Sequence, residues 1–466
     1  MADQKEALRE YLYQKYILPT ERKAGQGVGI EFELPIVNLR KEAVDFELIH
    51  RLSHAFMEHF SFQDPYVDEE GHIYNMTEKE SGDIFSYDCS YNTVEFSFGV
   101  TEDLNIVYDR FKAYYRFIQD FLQKEDHMLT GMGINPYREY NNNIPIKNGR
   151  YRMLLHHLSS YQKYQGSLDF HDLPNFGLFS CASQVQLDLE KETMLDVINT
   201  FNRLEPLKAL LFANSPYEED LCARDYFWRH SSHGINPKNV DMYEQELKNV
   251  DELLDYIASE SMYCLDRKGK YMNFAPIPLL DYMEQEQIHA EYYNSERGVY
   301  EAIDFVPELS DLKDLRSFKF EDVTFRGTVE LRSVCEQPVS EIMSPAAFHT
   351  GLMEEIPALS ALLSDECPLY RKGQSPIELR RLYVKKELPD SVCREELSGL
   401  LLEVLALAEK GLQKRGKGEE CFLQPLYRRA ELLLSPAREM AEGLSQGKEL
   451  EYYIRKFAEL PEDEAV

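Results

Sequence analysis

The chain has 466 residues, 43% of them hydrophobic and 12% aromatic, enough to bury a large core. Its net charge is −31 and its pI is near 4.8. Nucleic acid and anionic membranes would both repel so acidic a protein, so neither is expected as a partner. If the substrates are anions, local basic residues must hold them.

The N-terminal stretch MADQKEALREYLYQKY reads as a charged helix and lacks the features of a signal peptide. No apolar run approaches the ~20 residues needed to span a bilayer. The eight cysteines are scattered, with no CxxC pair and no Cys/His cluster. Zinc and a disulfide framework are therefore not expected, and reduced thiols in the cytoplasm are.

Periodicity predicts helices over 3–17, 103–128, 190–212, 240–260, 345–364, 375–413 and 426–444. Ser375 followed by Pro376 reads as an N-cap and first helical position. Strand patterns fall at 28–36, 92–98, 181–189 and 323–334. No GxxxxGK[ST] or GxGxxG follows any of them, so a P-loop and a Rossmann crevice are excluded. Short strands between long helical inserts predict an α+β fold with a mainly antiparallel sheet. We divide the chain into a catalytic domain, 1–370, and a C-terminal helical subdomain, 371–466.

The four strands share one peculiarity. Side chains alternate faces along a strand. In 28–36 the apolar set Val28, Ile30, Phe32, Leu34 and Ile36 opposes Glu31 and Glu33. In 92–98, Val94, Phe96 and Phe98 oppose Thr93, Glu95 and Ser97. In 181–189, Val185, Leu187 and Leu189 oppose Gln184, Gln186 and Asp188. In 328–333, Val329 and Leu331 oppose Thr328, Glu330 and Arg332. A half-buried sheet with one wet face gives the same alternation. Yet Glu is depleted in strands, and here it is central in three of four polar faces that contain no Lys. Like charges on one face need a positive counterpart. Magnesium is the natural candidate, because it takes carboxylate oxygens and keeps phosphates and waters as its other ligands. Arg332 is suited to a phosphate.

At these residues the sequence resembles the glutamate–cysteine ligases, relatives of the glutamine synthetase type of catalytic sheet. GIEFELP (29–35) is similar to the family's G-x-E-x-E strand and NTVEFSFG (92–99) to its second carboxylate strand. GMGINPYR (131–138), NGRYRM (148–153), CASQVQLDLE (181–190), LLFANSPY (210–217), ARDYFW (223–228) and GTVELRS (327–333) follow in the family's order. The resemblance spans about 29 to 335 and leaves the C-terminal helices unmatched.

The resemblance implies a glutamine synthetase-like fold with a curved antiparallel sheet. It also implies ligation of the γ-carboxylate of L-glutamate to the amine of L-cysteine, driven by ATP as co-substrate, the first step of glutathione-type thiol synthesis. Glu31, Glu33, Glu95 and Glu330 would hold two or three Mg2+ ions. Arg332 would touch the transferred phosphoryl group, and Glu330 and Arg332 would be the catalytic pair. Gln184, Arg150, Arg224 and Trp228 would lie near the substrates, in a monomer or dimer that binds only small molecules. The chain also departs from the family. Gln186 replaces an Asn, and RHSSHGINP (229–237) stands where many relatives carry D-x-R-T-G. A same-fold ligase using a different amine is therefore the alternative, and a non-catalytic amino-acid-binding relative is the second.

Other residues have plainer readings. Asp188 is expected as a strand-end residue, and His156 and His157 as packed or exposed. Cys181 and Cys335 are expected as buried thiols, Asn214 as a turn former, and Trp228 as either core or substrate wall. The Tyr-rich segment 282–300 is a candidate loop closing over the site.

Overall fold

The computed structural model describes residues 2–164 and 169–461. In chain order its strands begin with β1 (Val28–Asn38), β2 (Gln63–Val67), β3 (Ile73–Thr77), β4 (Ile84–Tyr87), β5 (Thr93–Thr101), β6 (His127–Leu129) and β7 (Ser183–Asp188). They continue with β8 (Val240–Asp241), β9 (Ser261–Arg267), β10 (Lys270–Pro278), β11 (Ile288–Asn294), β12 (Val299–Phe305), β13 (Phe318–Lys319), β14 (Glu321–Val323) and β15 (Thr328–Leu331). The α+β expectation, with a mainly antiparallel sheet and a helical C-terminal region, is what the structure shows.

The principal sheet has nine strands, ordered β14-β15-β7-β1-β5-β4-β3-β2, with β6 pairing the far end of β1. Every neighbour pair is antiparallel. One face is apolar, and Ile30, Phe32, Leu34, Val94, Phe96, Val185 and Val329 are all buried on it. The helices Phe46–His59 and Leu104–Leu122 cover this face, with Phe32 edge-on to Phe111 at 5.5 Å and Phe56 stacked on Phe85 at 4.4 Å. Each of these helices starts on an aspartate cap, Asp45 and Asp103, whose side chain accepts from backbone N–H groups.

Over the opposite, polar face lies the helix Gly149–Ser159, which packs in turn on a smaller antiparallel sheet ordered β12-β11-β10-β9. That helix is pinned to β10, where the Asn273 side-chain amide donates to the Met153 carbonyl at 2.9 Å. The segment 282–300, read as a loop, is mostly the β11–β12 hairpin, whose register runs from Ile288 opposite Phe305 to Asn294 opposite Val299. Its Tyr and Ile residues belong to a pleated ladder.

The helical expectations held in kind and failed at the prolines. The 345–364 pattern splits into Ser344–Met353 and Ile356–Leu362, with Pro357 opening the second helix. The 375–413 pattern splits into Pro376–Tyr383 and Arg394–Arg415, with Pro389 between them. The 426–444 pattern splits into Gln424–Leu432 and Pro436–Ser445. Proline lacks the N–H that a continuous helix needs, so each break falls beside one. Ser375 caps as expected, in a reciprocal box with Glu378. The 240–260 pattern is helical only over Val250–Ser259.

The C-terminal helices pack on the rest of the chain. Leu379, Leu400, Leu401 and Leu405 belong to the same buried cluster as Phe32 and Phe96. Arg380 donates to Glu205 Oε2 at 2.5 Å and to Asp225 Oδ2 at 2.7 Å, all three fully buried. The long helix Arg394–Arg415 crosses Ser344–Met353 so closely that a Cβ on Gly411 would meet the Gly351 carbonyl oxygen at 1.9 Å. Gly399, on the same helix, has no atom within 4 Å of such a Cβ. Gly411→Ala is therefore expected to cost about 1–3 kcal/mol through overpacking. Gly399→Ala is expected to add about 0.5–1 kcal/mol through helix propensity. Urea denaturation of the two variants reads both signs.

Candidate active site

Strand register decides which polar side chains meet. Across β1 and β5, Glu33 stands opposite Glu95 and Glu31 opposite Ser97. Across β1 and β7, Glu31 stands opposite Gln184. Across β7 and β15, Gln186 stands opposite Glu330, and across β15 and β14, Glu330 stands opposite Asp322. These residues share one face of the sheet, the face turned away from the apolar core.

Over this face lies a cavity of about 460 Å³. Glu31, Glu33, Glu95, Glu330, Arg332, Gln184, Arg150, Arg224 and Trp228 all line it. Every candidate site residue thus meets in one chamber, although the segments carrying them lie up to 301 positions apart, from Glu31 to Arg332.

Glu33, Glu95 and Glu330 are held in place by hydrogen bonds. Glu33 accepts from the Ala182 N–H at 2.6 Å and from the Gln184 amide at 2.9 Å. Behind it, the buried Glu336 accepts from the Glu33 N–H at 2.9 Å and from the Ser183 hydroxyl at 3.0 Å, which fixes β1 against the chain after β15. Glu95 accepts from the Ser86 and Ser97 hydroxyls at 3.3 and 3.2 Å. Glu330 accepts from the Gln186 amide at 3.2 Å and pairs with Arg332 at 3.0 Å. Gln186, the departure from the family pattern, thereby serves as an orienting group for Glu330.

The position of Asp88 was not readable in the sequence. It sits in the tight β4–β5 connection, where no alternation marks it. Glu33, Asp88 and Glu95 each offer a carboxylate oxygen, all within 4.8 Å of one another. Asp322, Glu260, Arg316, Arg326 and Lys15 also line the cavity and were missed. Arg326 lies in the FRGT turn, before the alternation of 328–333 begins.

The crowding shows in the proton affinities. Burial, and then Glu330, pushes Glu31 up to about 7. Burial, and then Asp88 and Glu31, pushes Glu95 up to about 8. Burial, and then Asp88, raises Glu33 well above the ordinary carboxylate range, and burial raises Asp88 too. The buried Oε1 of Gln184 has no hydrogen-bond partner. Buried carboxylates that raise one another, beside an unpartnered amide oxygen, are a donor set of hard oxygens suited to magnesium.

Cations stand close by. Arg224 is buried and donates to the Arg332 carbonyl at 3.4 Å; Arg150 is exposed. Neither forms an ion pair among the described residues, so both are available to an anionic ligand. Trp228 is both core and wall: its ring stacks on Phe318 at 4.2 Å and meets Phe176 edge-on at 4.9 Å.

The plainer readings also have outcomes. Asp188 pins the strand end, accepting from the Gly25 N–H and from Arg22. His157 is buried, while His156 pairs with Glu291 at 2.9 Å. Cys181 and Cys335 are buried free thiols. The Asn214 amide ties the Gly131 and Glu336 carbonyls together at a turn.

A proton–cation competition follows. With folded values near 7 to 8, against an ordinary 4.5, Glu31 and Glu95 hold protons in the folded state that the unfolded chain releases. Their contribution to stability is therefore present at low pH and is lost as pH rises through about 7 to 8. A cation bound there must displace those protons. The melting-temperature gain from Mg2+ over EDTA is expected to be larger at pH 8.5 than at pH 6. Glu95→Gln should flatten that difference. Thermal melts at both pH values check it.

Comparison with known proteins identifies the family. A sequence model described as Glutamate-cysteine ligase family 2 (GCS2) matches residues 27–456. The chain is 25% identical over 316 residues to the chloroplastic glutamate–cysteine ligase of Solanum lycopersicum, covering 66% of this chain and 55% of that one. It is 24% identical over 330 residues to the chloroplastic glutamate–cysteine ligase of Arabidopsis thaliana, covering 67% and 57%. The match thus spans just over half the length of these curated relatives. The solved glutamate–cysteine ligase (gshA) of Francisella tularensis in complex with AMP aligns with TM-score 0.49 and 11% identity, over 94% of this chain and 89% of that one. The chain belongs to the glutamate–cysteine ligase family 2.

Proposed function

We propose that this protein joins the γ-carboxyl group of L-glutamate to the amine of L-cysteine at the expense of ATP. The observation that carries the reading is one cavity in which an acidic sheet face, two arginines free of ion pairs and Arg332 converge. In this reading Glu33, Asp88 and Glu95 hold one Mg2+ ion, and Glu31 and Glu330 hold another. Magnesium supplies neutralisation of the phosphate oxygens during transfer.

Arg224 and Arg150 bind the substrate carboxylates and orient the amino acid. The γ-carboxylate oxygen then attacks the γ-phosphorus of ATP, whose bond to the bridging oxygen breaks to release ADP. Arg332 stabilises the charge on the transferring phosphoryl group. The acceptor amine attacks the acyl carbon, phosphate leaves with its bonding electrons, and the nitrogen loses a proton. Such chemistry is positioning plus charge neutralisation, so no protein nucleophile enters. Trp228 and Phe318 exclude water that would hydrolyse the acyl phosphate. A cytoplasmic location fits the free thiols at all eight cysteines. Among the described residues no helix is long and apolar enough to cross a membrane.

The acceptor is the part of the reading that RHSSHGINP (229–237) opens to substitution. Its Arg229 is committed to Asp241 at 2.8 Å, not to the cavity. The test is Mg2+-dependent ADP release from ATP and L-glutamate, with and without L-cysteine and across a panel of other amines. Cysteine is expected to stimulate release, and Glu330→Gln to lower it about a hundredfold or more. Arg224→Met is expected to raise the KM for glutamate more than it lowers kcat. Release stimulated only by another amine would replace cysteine and keep the ligase. No release with any amine would leave a non-catalytic binding protein.

A further inference from the structure

Outside the catalytic cavity, the fold gathers a second group of metal-ligating side chains with a different composition. It lies where the helix Phe46–His59 passes the β2–β3 turn. The helix supplies Glu47 and His50, and the turn supplies Asp68, Glu70 and His72. Glu47, His50 and His72 each offer a ligand atom, all within 4.8 Å of one another. Asp68, Glu70 and His72 form a second such triad, so His72 belongs to both. None of these five residues lines the cavity. Local structure explains the meeting. Glu47 and His50 are three apart on a helix and share one face. Asp68 closes the turn, its Oδ1 accepting from the Glu70 and His72 N–H groups at 2.9 Å each, and Gly71 supplies the left-handed φ of +88°.

The two imidazole rings lie face to face, with centroids 3.6 Å apart. Tyr91 stands edge-on to His50 at 4.7 Å, and its hydroxyl donates to Asp68 Oδ2 at 3.0 Å. A carboxylate flanks each ring. Asp68 Oδ2 lies 3.6 Å from His72 Nδ1, and Glu47 Oε1 lies 3.9 Å from His50 Nδ1. Both separations are longer than a hydrogen bond. Glu70 is committed elsewhere, to Lys147 at 2.5 Å. Both ring nitrogens of His50 are shielded from solvent and have no hydrogen-bond partner. A shielded imidazole with neither nitrogen satisfied costs free energy, and stacking on a second imidazole does not repay it. One cation held by both rings would satisfy a lone pair on each and neutralise the two carboxylates.

We propose that Glu47, His50, Asp68 and His72 bind one divalent transition-metal ion of the zinc class. Two imidazole nitrogens and two carboxylate oxygens are a borderline donor set, which suits zinc in a four-coordinate site. The catalytic sheet face offers hard oxygens alone, which suit magnesium. Ligand chemistry therefore separates the two sites. An ion bound by both imidazoles lies in the plane of each ring, so binding turns the rings out of their parallel stack. The role is structural. The ion ties the helix to the β2–β3 turn, and the Asp68–Tyr91 hydrogen bond carries that tie to the β4–β5 connection, three residues from Asp88.

Titration of the full chain with Zn2+ tests this, in saturating Mg2+ and without substrates. Competition with a chromophoric chelator reads the stoichiometry, and thermal melts read the stabilisation. Wild type is expected to bind one Zn2+ more than His50→Ala does, and to gain melting temperature from it. His72→Gln should lose the same equivalent. Tyr91→Phe removes only the hydroxyl on Asp68, so it should keep the stoichiometry and weaken the affinity about tenfold. Zinc-edge X-ray absorption should show two imidazoles on the ion in wild type. Circular dichroism establishes that the variants fold, and His72, whose side chain is 31% exposed, decides if His50→Ala does not. Equal binding by wild type and the histidine variants, or an ion ligated by sulfur alone, places zinc at the exposed thiols of Cys393 and Cys421 and overturns the site. Absence of any Zn2+ binding overturns it as well.

Discussion

Across the β1–β5 ladder, Glu33 stands opposite Glu95, and Asp88 closes the third corner. Carboxylates placed directly opposite in a sheet repel and lower its stability. Here burial sharpens the repulsion, because water no longer screens it. The chain meets that cost with hydrogen bonds to Glu33 and Glu95, with raised proton affinities, and with a cavity lined by arginines. The rest of the molecule serves this one constraint. The apolar face of the same strands is anchored by Phe32, Phe96 and Phe111, so the register cannot slip by one residue without exposing that face to water.

Position is then enforced from behind. Glu336 ties β1 to the chain after β15 and fixes the distance between the Glu33 and Glu330 strands. Arg380, from the C-terminal helices, clamps Glu205 and Asp225 and donates to the Ser333 carbonyl at 3.3 Å. Asp225 neighbours Arg224, and Ser333 neighbours Arg332. A buried ion pair of this kind adds little net stability, but losing one partner leaves an unpaired charge in the core. The C-terminal region therefore acts on the site by fixing two of its arginines, without lining the cavity itself.

The cavity lining varies in chemistry along its length. Arg150 and Arg224, which form no ion pair among the described residues, lie beside Asp88; Arg326 and Arg332 lie beside Glu31; and Tyr16 and Tyr243 lie beside Asp322. An overall charge of −31 would repel anionic substrates. The local cations reverse the sign where it matters, and the low dielectric of the chamber strengthens them. Trp228 stacked on Phe318 makes part of the wall apolar.

The catalytic strands and their polar faces were legible in the sequence, because period-two alternation survives in 28–36, 92–98, 181–189 and 328–333 whatever surrounds them. Glu31, Glu33, Glu95, Glu330, Arg332 and Gln184 were readable for that reason, and Arg150, Arg224 and Trp228 through their motifs. Helix boundaries were less legible, since an apolar periodicity continues across Pro357, Pro389 and Pro436 while the backbone cannot. The β11–β12 hairpin was missed because its strands are half exposed and rich in Tyr and Glu. Asp88, Asp322 and Glu260 lie in a turn, on a three-residue edge strand and just past a helix end, where no periodicity marks a side chain. Only tertiary structure brought them to the cavity, because antiparallel register and the packing of distant segments over one sheet face are long-range contacts that local pattern does not encode. Local alternation sets which residue types face one way along each strand; the long-range pairing of strands sets which of them lie side by side, and so which charges meet.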